Sequence, residues 1–446
     1  MHARATTNTI AAWTLACLAG CGLDASTGDP VTGGAGGAVA GGSAPSGGGG
    51  SLGGNDGVGG AAGAEPHPTP QPGPVDEIIE QMEPGSWRAL SGTPMKEVCP
   101  PPFHNYFCWS VVGAWGGATW DPNRDRMLVF GGGHADSYYN NIFAFDLGQM
   151  RWDRLTELPD GADGSQPTEA MQQIDLEPCG YYPIQSVQVP PSYVDGGYIR
   201  FEHCDASEIA PFLDDQQPRS THTYNTLWFD AERDRFCTLG GSYYPSAQKS
   251  SPRTFCYDFG QSRWIGVADY PEASRGATSV DATGHLWVVP AAGGHLLELD
   301  PEAQAWTPYV SVNGLEGTGD IDRSRNQLVL FRRQTRELLR WDLTRPDQPH
   351  EMLPQGVDTP SLPERPGFVY ADGLDRYVVW GGGRTVYFID PADWTWSRDE
   401  ATGDDPGEPQ PNGTYGRFRY SVARGVFVLV NDTNQDVFLY KPTTSL

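Results

Sequence analysis

Residues 127–155, MLVFGGGHADSYYNNIFAFDLGQMRWDRL, constrain the fold more than any other stretch, because their pattern recurs along the chain. Residues 127–130 form a short apolar run stopped by three glycines. Residues 142–146 form a second run, ended by Asp-Leu-Gly, and Trp152 opens a third. Runs this short, bounded by Gly and Asn, fit strands buried on both faces better than helices. Just upstream, residues 118–121 read as a further strand, which Asp-Pro-Asn turns into Met127. Four antiparallel strands from one contiguous segment predict a β-meander sheet.

The pattern returns in residues 227–241 with 254–264, in 278–290 with 296–306, in 319–331 with 338–343, and in 368–396. A sixth copy, residues 420–442, has three strands and lacks the Trp strand. The missing piece stands at the other end of the domain, where Ser86-Trp87-Arg88-Ala89-Leu90 is similar to Arg151-Trp152-Asp153-Arg154-Leu155. The expectation is an all-β, six-bladed β-propeller whose last blade takes its outer strand, carrying Trp87, from the N-terminal side. Closing the ring removes the open sheet faces that a linear array would expose.

The pairs Gly131-Gly132, Gly240-Gly241 and Gly381-Gly382, each followed by an aromatic-rich strand, an Asp and a later Trp, resemble the kelch / galactose-oxidase-like β-propellers. The resemblance covers residues 85–446 and implies a kelch-type propeller. It does not carry over the copper radical oxidase activity best known for this fold. That chemistry needs a free Cys to cross-link a Tyr, together with His and Tyr ligands, whereas all six domain cysteines here can pair. Sialidase is disfavoured by the lack of repeated Ser-x-Asp-x-Gly-x-x-Trp boxes, and no Gly-x-Ser-x-Gly supplies a nucleophile.

Residues 1–20 read as a processing segment, with Arg4 in the n-region and an apolar run too short to span a bilayer. The run ends in Leu18-Ala19-Gly20-Cys21, which resembles the bacterial lipobox. The resemblance implies a lipidated Cys21 and an exported protein anchored at the outer membrane or cell surface. Residues 21–84 are dominated by Gly, Ala, Ser and Pro, with too little apolar surface to offset ordering entropy, so a disordered linker is expected there. The one convincing amphipathic helix signal is residues 75–82. The remaining chain is longer than a single hydrophobic core usually serves. A propeller resolves that conflict, because each blade interface is a small core of its own.

Six cysteines remain beyond Cys17 and Cys21. Sequence proximity pairs Cys99 with Cys108, Cys179 with Cys204, and Cys237 with Cys256, among the fifteen possible pairings of six cysteines. No Cys-x-x-Cys with matching His spacing suggests zinc. No cofactor is expected, and the residues leave open whether a metal sits near His134 and Asp136. The formal net charge of −26 argues against nucleic acid, whose phosphates need a basic footprint. Only three lysines occur, so the positions of the arginines carry information. A monomer is expected.

In a four-stranded blade, the loop before the first strand and the loop after the second open on the same face. These loops hold Arg219, Arg275, Arg365 and Arg417, with Arg419 close by, then His134, Asp136, Tyr138, Tyr139, Tyr243, Tyr244, Arg332, Arg333, Arg384 and Asn431. Guanidinium forks recognise carboxylate or sulfate, and aromatic faces accept sugar rings. The competing reading is that such arginines tether neighbouring blades through Asp and backbone carbonyls.

The leading expectation is a surface binding module for an extracellular glycan or protein partner. It would bind through Arg275, Arg365, Arg384, Arg417, Tyr138, Tyr139, Tyr243 and Tyr244. The alternative is a polysaccharide lyase acting on a uronate glycan. There Arg219 would neutralise the substrate carboxylate, while His134, His222 or Tyr224 would exchange protons. That set is similar to the His, Tyr and Arg of some propeller lyases. The insertion at residues 156–218 is far above ordinary loop length, and it is expected to wall a cleft opposite residues 100–115.

Overall fold

Alternation within each apolar run explains the architecture. The computed structural model describes residues 71–100, 108–133, 141–156, 218, 221–243, 246–250, 254–272, 275–354 and 360–443, with two short strands, Val194–Asp195 and Tyr198–Ile199. In the strand Arg126–Phe130, Met127 and Val129 join one buried cluster with Val426, Val428 and Leu439. Leu128 and Phe130 join another with Phe229, Phe236 and Trp264. A strand whose alternate side chains feed two different cores needs apolar residues at every position.

Blade one comprises Gly117–Asp121, Arg126–Phe130, Phe143–Asp146 and Arg151–Arg154, in that order from the inside of the ring. Blade two comprises Leu227–Asp230, Arg235–Leu239, Thr254–Asp258 and Arg263–Val267. Blade three runs from Gly276–Val280 to Ala305–Val312, blade four from Gly317–Asp322 to Glu351–Met352, and blade five from Gly367–Ala371 to Trp396–Glu400. Each is a four-stranded antiparallel meander. A buried cluster fills each of the six blade interfaces. Each fully buried Val, Leu or Phe there contributes about 1.5–3 kcal/mol.

Blade six closes the ring. Phe418–Ser421, Val426–Leu429 and Val437–Lys441 are followed outward by Ser86–Leu90, antiparallel to Val437–Lys441 with Trp87 opposite Tyr440, and then by Thr402–Gly403 in parallel. Trp87 is 1% exposed and packs edge-on to Trp380 of blade five at 6.4 Å. The six-bladed propeller with an N-terminal closing strand is therefore the fold, with a fifth, two-residue strand on blade six that the repeat pattern did not announce.

The folded part begins upstream of Gly85. Residues Pro74–Gln81 form a helix with Pro at its first position, and Asp76 Oδ2 accepts from the Gly73 N–H at 2.7 Å. Val75 is fully buried and, with Met82, Ile78 and Ile79, joins the cluster between blades six and one. Lys441 Nζ donates to the Ile79 and Met82 carbonyls at 2.8 Å, and Arg424 pairs with Asp76 at 2.9 Å. The Pro/Gly-rich surroundings hid how firmly this helix is docked.

Two expected disulfides are present, Cys99–Cys108 and Cys237–Cys256, with Cα atoms 5.9 and 4.0 Å apart. Cys179 and Cys204, like the signal segment, Cys21 and most of the 156–218 insertion, lie outside the described residues.

Antiparallel meanders put the first and third turns of each blade on one face of the ring. The second turns and the blade-to-blade connections fall on the other, called the mouth below. Gln71, Gly73 and Asp76 meet Arg424 and Gly148, which belong to turns of the first face. The chain therefore enters the ring opposite the mouth.

Candidate ligand-binding mouth

The mouth is built from segments whose backbone is tied down on several sides. Residues 221–226 lead into blade two. His222 N–H donates to the Ser242 carbonyl at 3.0 Å, Tyr224 N–H to Trp115 at 2.8 Å, and Thr223 Oγ1 to Phe130 at 3.0 Å. Asn225 forms a parallel bridge to Ala277. One short segment thus joins blades one, two and three. Tyr224 sits there at φ 49°, and Trp115 and Tyr415 have φ of 50° and 48°. Bulky residues rarely occupy this left-handed region, and holding them there requires surrounding structure that over-determines them. Gly132 shows the crowding: at φ +80°, a Cβ on it would lie 2.2 Å from the Ser110 carbonyl oxygen.

Three guanidiniums converge on one carboxylate. Arg275 and Glu316 directly precede the first strands of blades three and four, Arg333 lies in the second turn of blade four, and Arg365 leads into blade five. Arg333 Nη1 lies 2.8 Å from Glu316 Oε2, whereas Arg275 and Arg365 approach that carboxylate only to 3.9 and 3.8 Å. Glu364 pairs with Arg333 at 2.8 Å and lies 3.9 Å from Arg365. These five groups carry three positive and two negative charges. Burial works against the charge of Arg275 and Arg333, yet Tyr224 and Glu316 hold the first above its ordinary value, and Glu364 and Glu316 the second.

Aromatic rings line the other side. Arg275 lies over the Tyr224 ring at 5.2 Å and donates to its hydroxyl at 3.2 Å. Tyr224 meets Tyr415 edge-to-face at 5.8 Å, and His222 packs on Trp115 at 4.6 Å. Burial pushes the Tyr415 phenol well above its ordinary value despite nearby Arg365, so it stays a neutral donor. Three buried polar atoms here have no hydrogen-bond partner: Tyr415 Oη, Arg365 Nε and Glu316 Oε1. Unmade hydrogen bonds of this kind cost about 1–3 kcal/mol each, which a fold tolerates where something else is to fill them.

Below this cluster the axis carries a polar layer. Ser279 Oγ donates to Asp320 Oδ1 at 2.5 Å, Arg419 of blade six reaches Asp320 of blade four at 3.6 Å, and Asn225 Nδ2 donates to the Gly319 carbonyl at 3.4 Å.

The other expected residues are placed as follows. Arg417 is fully buried, donating to the carbonyls of Gly116, Val430 and Gly413, and burial pulls its pKa down to about 10. It clamps the blade six–blade one junction instead of facing a ligand, as does Arg419 for the axis. Arg384 Nε donates to Gly403 at 3.0 Å and its carbonyl accepts from Trp87 Nε1, which puts it at the outer edge of blades five and six. Asn431 Nδ2 donates to Glu408 and Pro406. His222 is 4% exposed. His134, Asp136, Tyr138, Tyr139, Arg219 and Tyr244 lie outside the described residues, and Tyr243 is described only as part of the strand Ser242–Tyr243. Among the described residues, no group of three or more His, Cys, Asp or Glu is arranged to hold a metal ion.

Glu316 and Tyr415 escaped the sequence reading. Glu316 occupies the same slot as Arg275, directly before a first-strand Gly, and reading that slot in every blade without regard to charge would have found it.

No protein-family profile matches the sequence, and no curated protein is significantly similar to it. Among solved structures, a protein of unknown function from Bacteroides thetaiotaomicron is 10% identical, covering 80% of this chain and 72% of that one, at a TM-score of 0.42. An auxiliary nutrient binding protein from the same organism is 9% identical over 72% of this chain and 68% of that one, TM-score 0.42. Another from Bacteroides ovatus is 9% identical over 77% and 75%, TM-score 0.42. Likenesses this distant say nothing about what this chain binds.

Proposed function

We propose that the protein is a surface-anchored binding module that captures an extracellular ligand bearing acidic groups at the mouth of the propeller. The observation that carries this reading is the arginine cluster at residues 275, 333 and 365. Arg333 pairs closely with Glu316 and Glu364, Arg275 and Arg365 stand 3.9 and 3.8 Å from Glu316, and Arg365 Nε and Tyr415 Oη are buried with no hydrogen-bond partner. Buried polar groups are normally satisfied, so the unmet donors Arg365 Nε and Tyr415 Oη are suited to an anion supplied from outside. The anchoring part of the proposal rests on the Leu18-Ala19-Gly20-Cys21 pattern.

The test is a binding screen of acidic and neutral polysaccharides and acidic peptides, paired with an assay for unsaturated uronate product. Binding of at least one acidic ligand, weakened tenfold or more by Arg365→Ala and without turnover, is the expected result. Retention of all binding in Arg365→Ala would overturn the site. Turnover would favour the lyase reading, for which the pairing of Tyr224 with Arg275 is the supporting geometry.

A further inference from the structure

We infer that residues 408–413 are a lid beside the donor pair Arg365 and Tyr415, and that it opens to admit the acidic ligand. This inference rests on the binding reading above. Tyr415 is 2% exposed and the Arg365 side chain 14%, so an anion reaches the two donors only after something moves. The segment packed on both is the connection from blade five to blade six. It leaves the outer edge of blade six at Gly403, meets the second turns of blades five and six, and ends at the turn Tyr415–Arg417. On the way Pro409 rests on Gly382, its Cδ 2.7 Å from the place a Cβ on that glycine would take. Gly413 at φ +109° closes over the donors: a Cβ there would stand 2.7 Å from Tyr415 Cε2 and 2.9 Å from Arg365 Cδ.

The lid is attached lightly. Among the described residues, its hydrogen bonds to the rest of the ring all run through side chains. Asn431 Nδ2 donates to the Glu408 carbonyl at 2.8 Å, Gln410 Nε2 to Asp432 at 3.0 Å, and Asn412 Nδ2 to the Gly113 carbonyl at 2.9 Å. Arg417 donates to the Gly413 carbonyl, and the Gly413 N–H bonds only within the lid, to Gln410. A segment without a backbone ladder opens far more readily than the strands beneath it. Pro409 and Pro411 stiffen its middle. Gly407, whose carbonyl accepts from the Gly383 N–H at 2.8 Å, gives it a pivot at φ +77°.

The closed position also leaves polar atoms unmet at both ends of the lid. Twelve buried side-chain nitrogens and oxygens among the described residues lack a hydrogen-bond partner, and four of them are Asn431 Oδ1, Thr414 Oγ1, Tyr415 Oη and Arg365 Nε. Asn431 holds the lid at Glu408, and the other three belong to residues next to or against Gly413. Unmet groups raise the free energy of the closed state, and opening returns them to water or to a ligand. An acidic group entering there meets a guanidinium and two hydroxyls.

Hydrogen exchange of the full chain without ligand tests the motion. The Gly413 and Thr414 amides, bonded to the Gln410 and Arg365 carbonyls, should exchange at least about a hundredfold faster than those of the strand Val426–Leu429. Asn412→Ala should speed both further and leave the strand unchanged. Exchange at Gly413 and Thr414 as slow as in the strand overturns the lid. Gating is read from the binding of an oligogalacturonate and a poly-glutamate peptide to wild type and Asn412→Ala. Where only open molecules bind, apparent affinity falls with the fraction open, so Asn412→Ala should bind several-fold tighter and associate faster. Equal affinity and equal association rate overturn the gating role and leave the binding reading standing. No binding of either probe by wild type or variant overturns the binding reading, and the gating role with it.

Discussion

The two faces of the ring carry similar residue types put to opposite uses. On the face of the first turns, arginines and aspartates lock neighbouring blades. Arg124 bridges from blade one to Asp234 of blade two at 2.5 Å, and Arg325 from blade four to Asp375 of blade five at 2.5 Å. Ser421 and Arg424 of blade six both engage Asp125 of blade one. The first turns there place Asp125, Asp234, Asn326 and Asp375 at left-handed φ, residue types that tolerate φ near +50°, and the third turns place Met150, Ser262, Gln304 and Trp394 there. At the mouth the left-handed non-glycine residues are Trp115, Tyr224, Arg336 and Tyr415. Arg275, Arg333 and Arg365 meet Glu316 and Glu364 at uneven distances, and Arg365 Nε, Glu316 Oε1 and Tyr415 Oη go unpaired. The latches are not fully satisfied either, since Arg126 Nη2 is buried without a partner; the mouth is set apart by the gathering of unmet atoms at Arg365, Glu316 and Tyr415.

The contrast can be broken at several points, and the ring itself gives the largest effects. Deleting residues 71–90 removes both the docked helix and the closing strand, and should abolish cooperative unfolding in a calorimeter. Trp87→Ala alone should cost about 3–5 kcal/mol, as for other buried Trp truncations, with a matching fall in the denaturant midpoint. Deleting only residues 71–84 should lower the melting temperature clearly, because Val75 and its neighbours leave the blade six–blade one core.

Arg417→Met should be nearly as damaging, through the Gly116, Val430 and Gly413 carbonyls left without their donor, at about 1–3 kcal/mol for each unsatisfied group. If Arg417 faced a ligand, the same substitution would reduce binding and leave chemical denaturation unchanged.

The latches give smaller effects. Hydrogen bonding from Arg325 holds the Asp375 carboxyl down at about 2, although its side chain is 48% exposed. Solvent screening therefore limits Asp375→Asn to about 1 kcal/mol at neutral pH. A carboxyl whose folded pKa is depressed contributes stability that is present above its unfolded pKa of about 3.9 and is lost as pH falls toward about 2. The gap between wild type and Asp375→Asn should accordingly close across that window, as measured by urea midpoints. A gap independent of pH would show that the pair acts through packing alone.

Much of this was legible in the sequence, for physical reasons that can be named. Strands such as Arg126–Phe130 declare themselves because both faces are buried, so five residues suffice. Trp87 declared the closing strand because its neighbours repeat those of Trp152. The helix Pro74–Gln81 was visible as a pattern, but its docking depends on Arg424 and Lys441, which lie far along the chain. The mouth was half legible. Arg275 and Arg365 stood in the right loops, but so did Arg417 and Arg384, and only burial and hydrogen-bond partners separate them. Glu316 stood in the same slot as Arg275, directly before a first-strand Gly, but that it meets three arginines from three loops is a property of the ring.

The decisive substitution is Tyr415→Phe, which deletes one unpartnered buried hydroxyl and nothing else. A structural hydroxyl would cost stability when removed, whereas an unmet one costs stability by being present. The expected result is an unchanged or higher melting temperature together with a several-fold weaker affinity for the acidic ligand that binds the wild type in the screen. A lower melting temperature with unchanged affinity would contradict it.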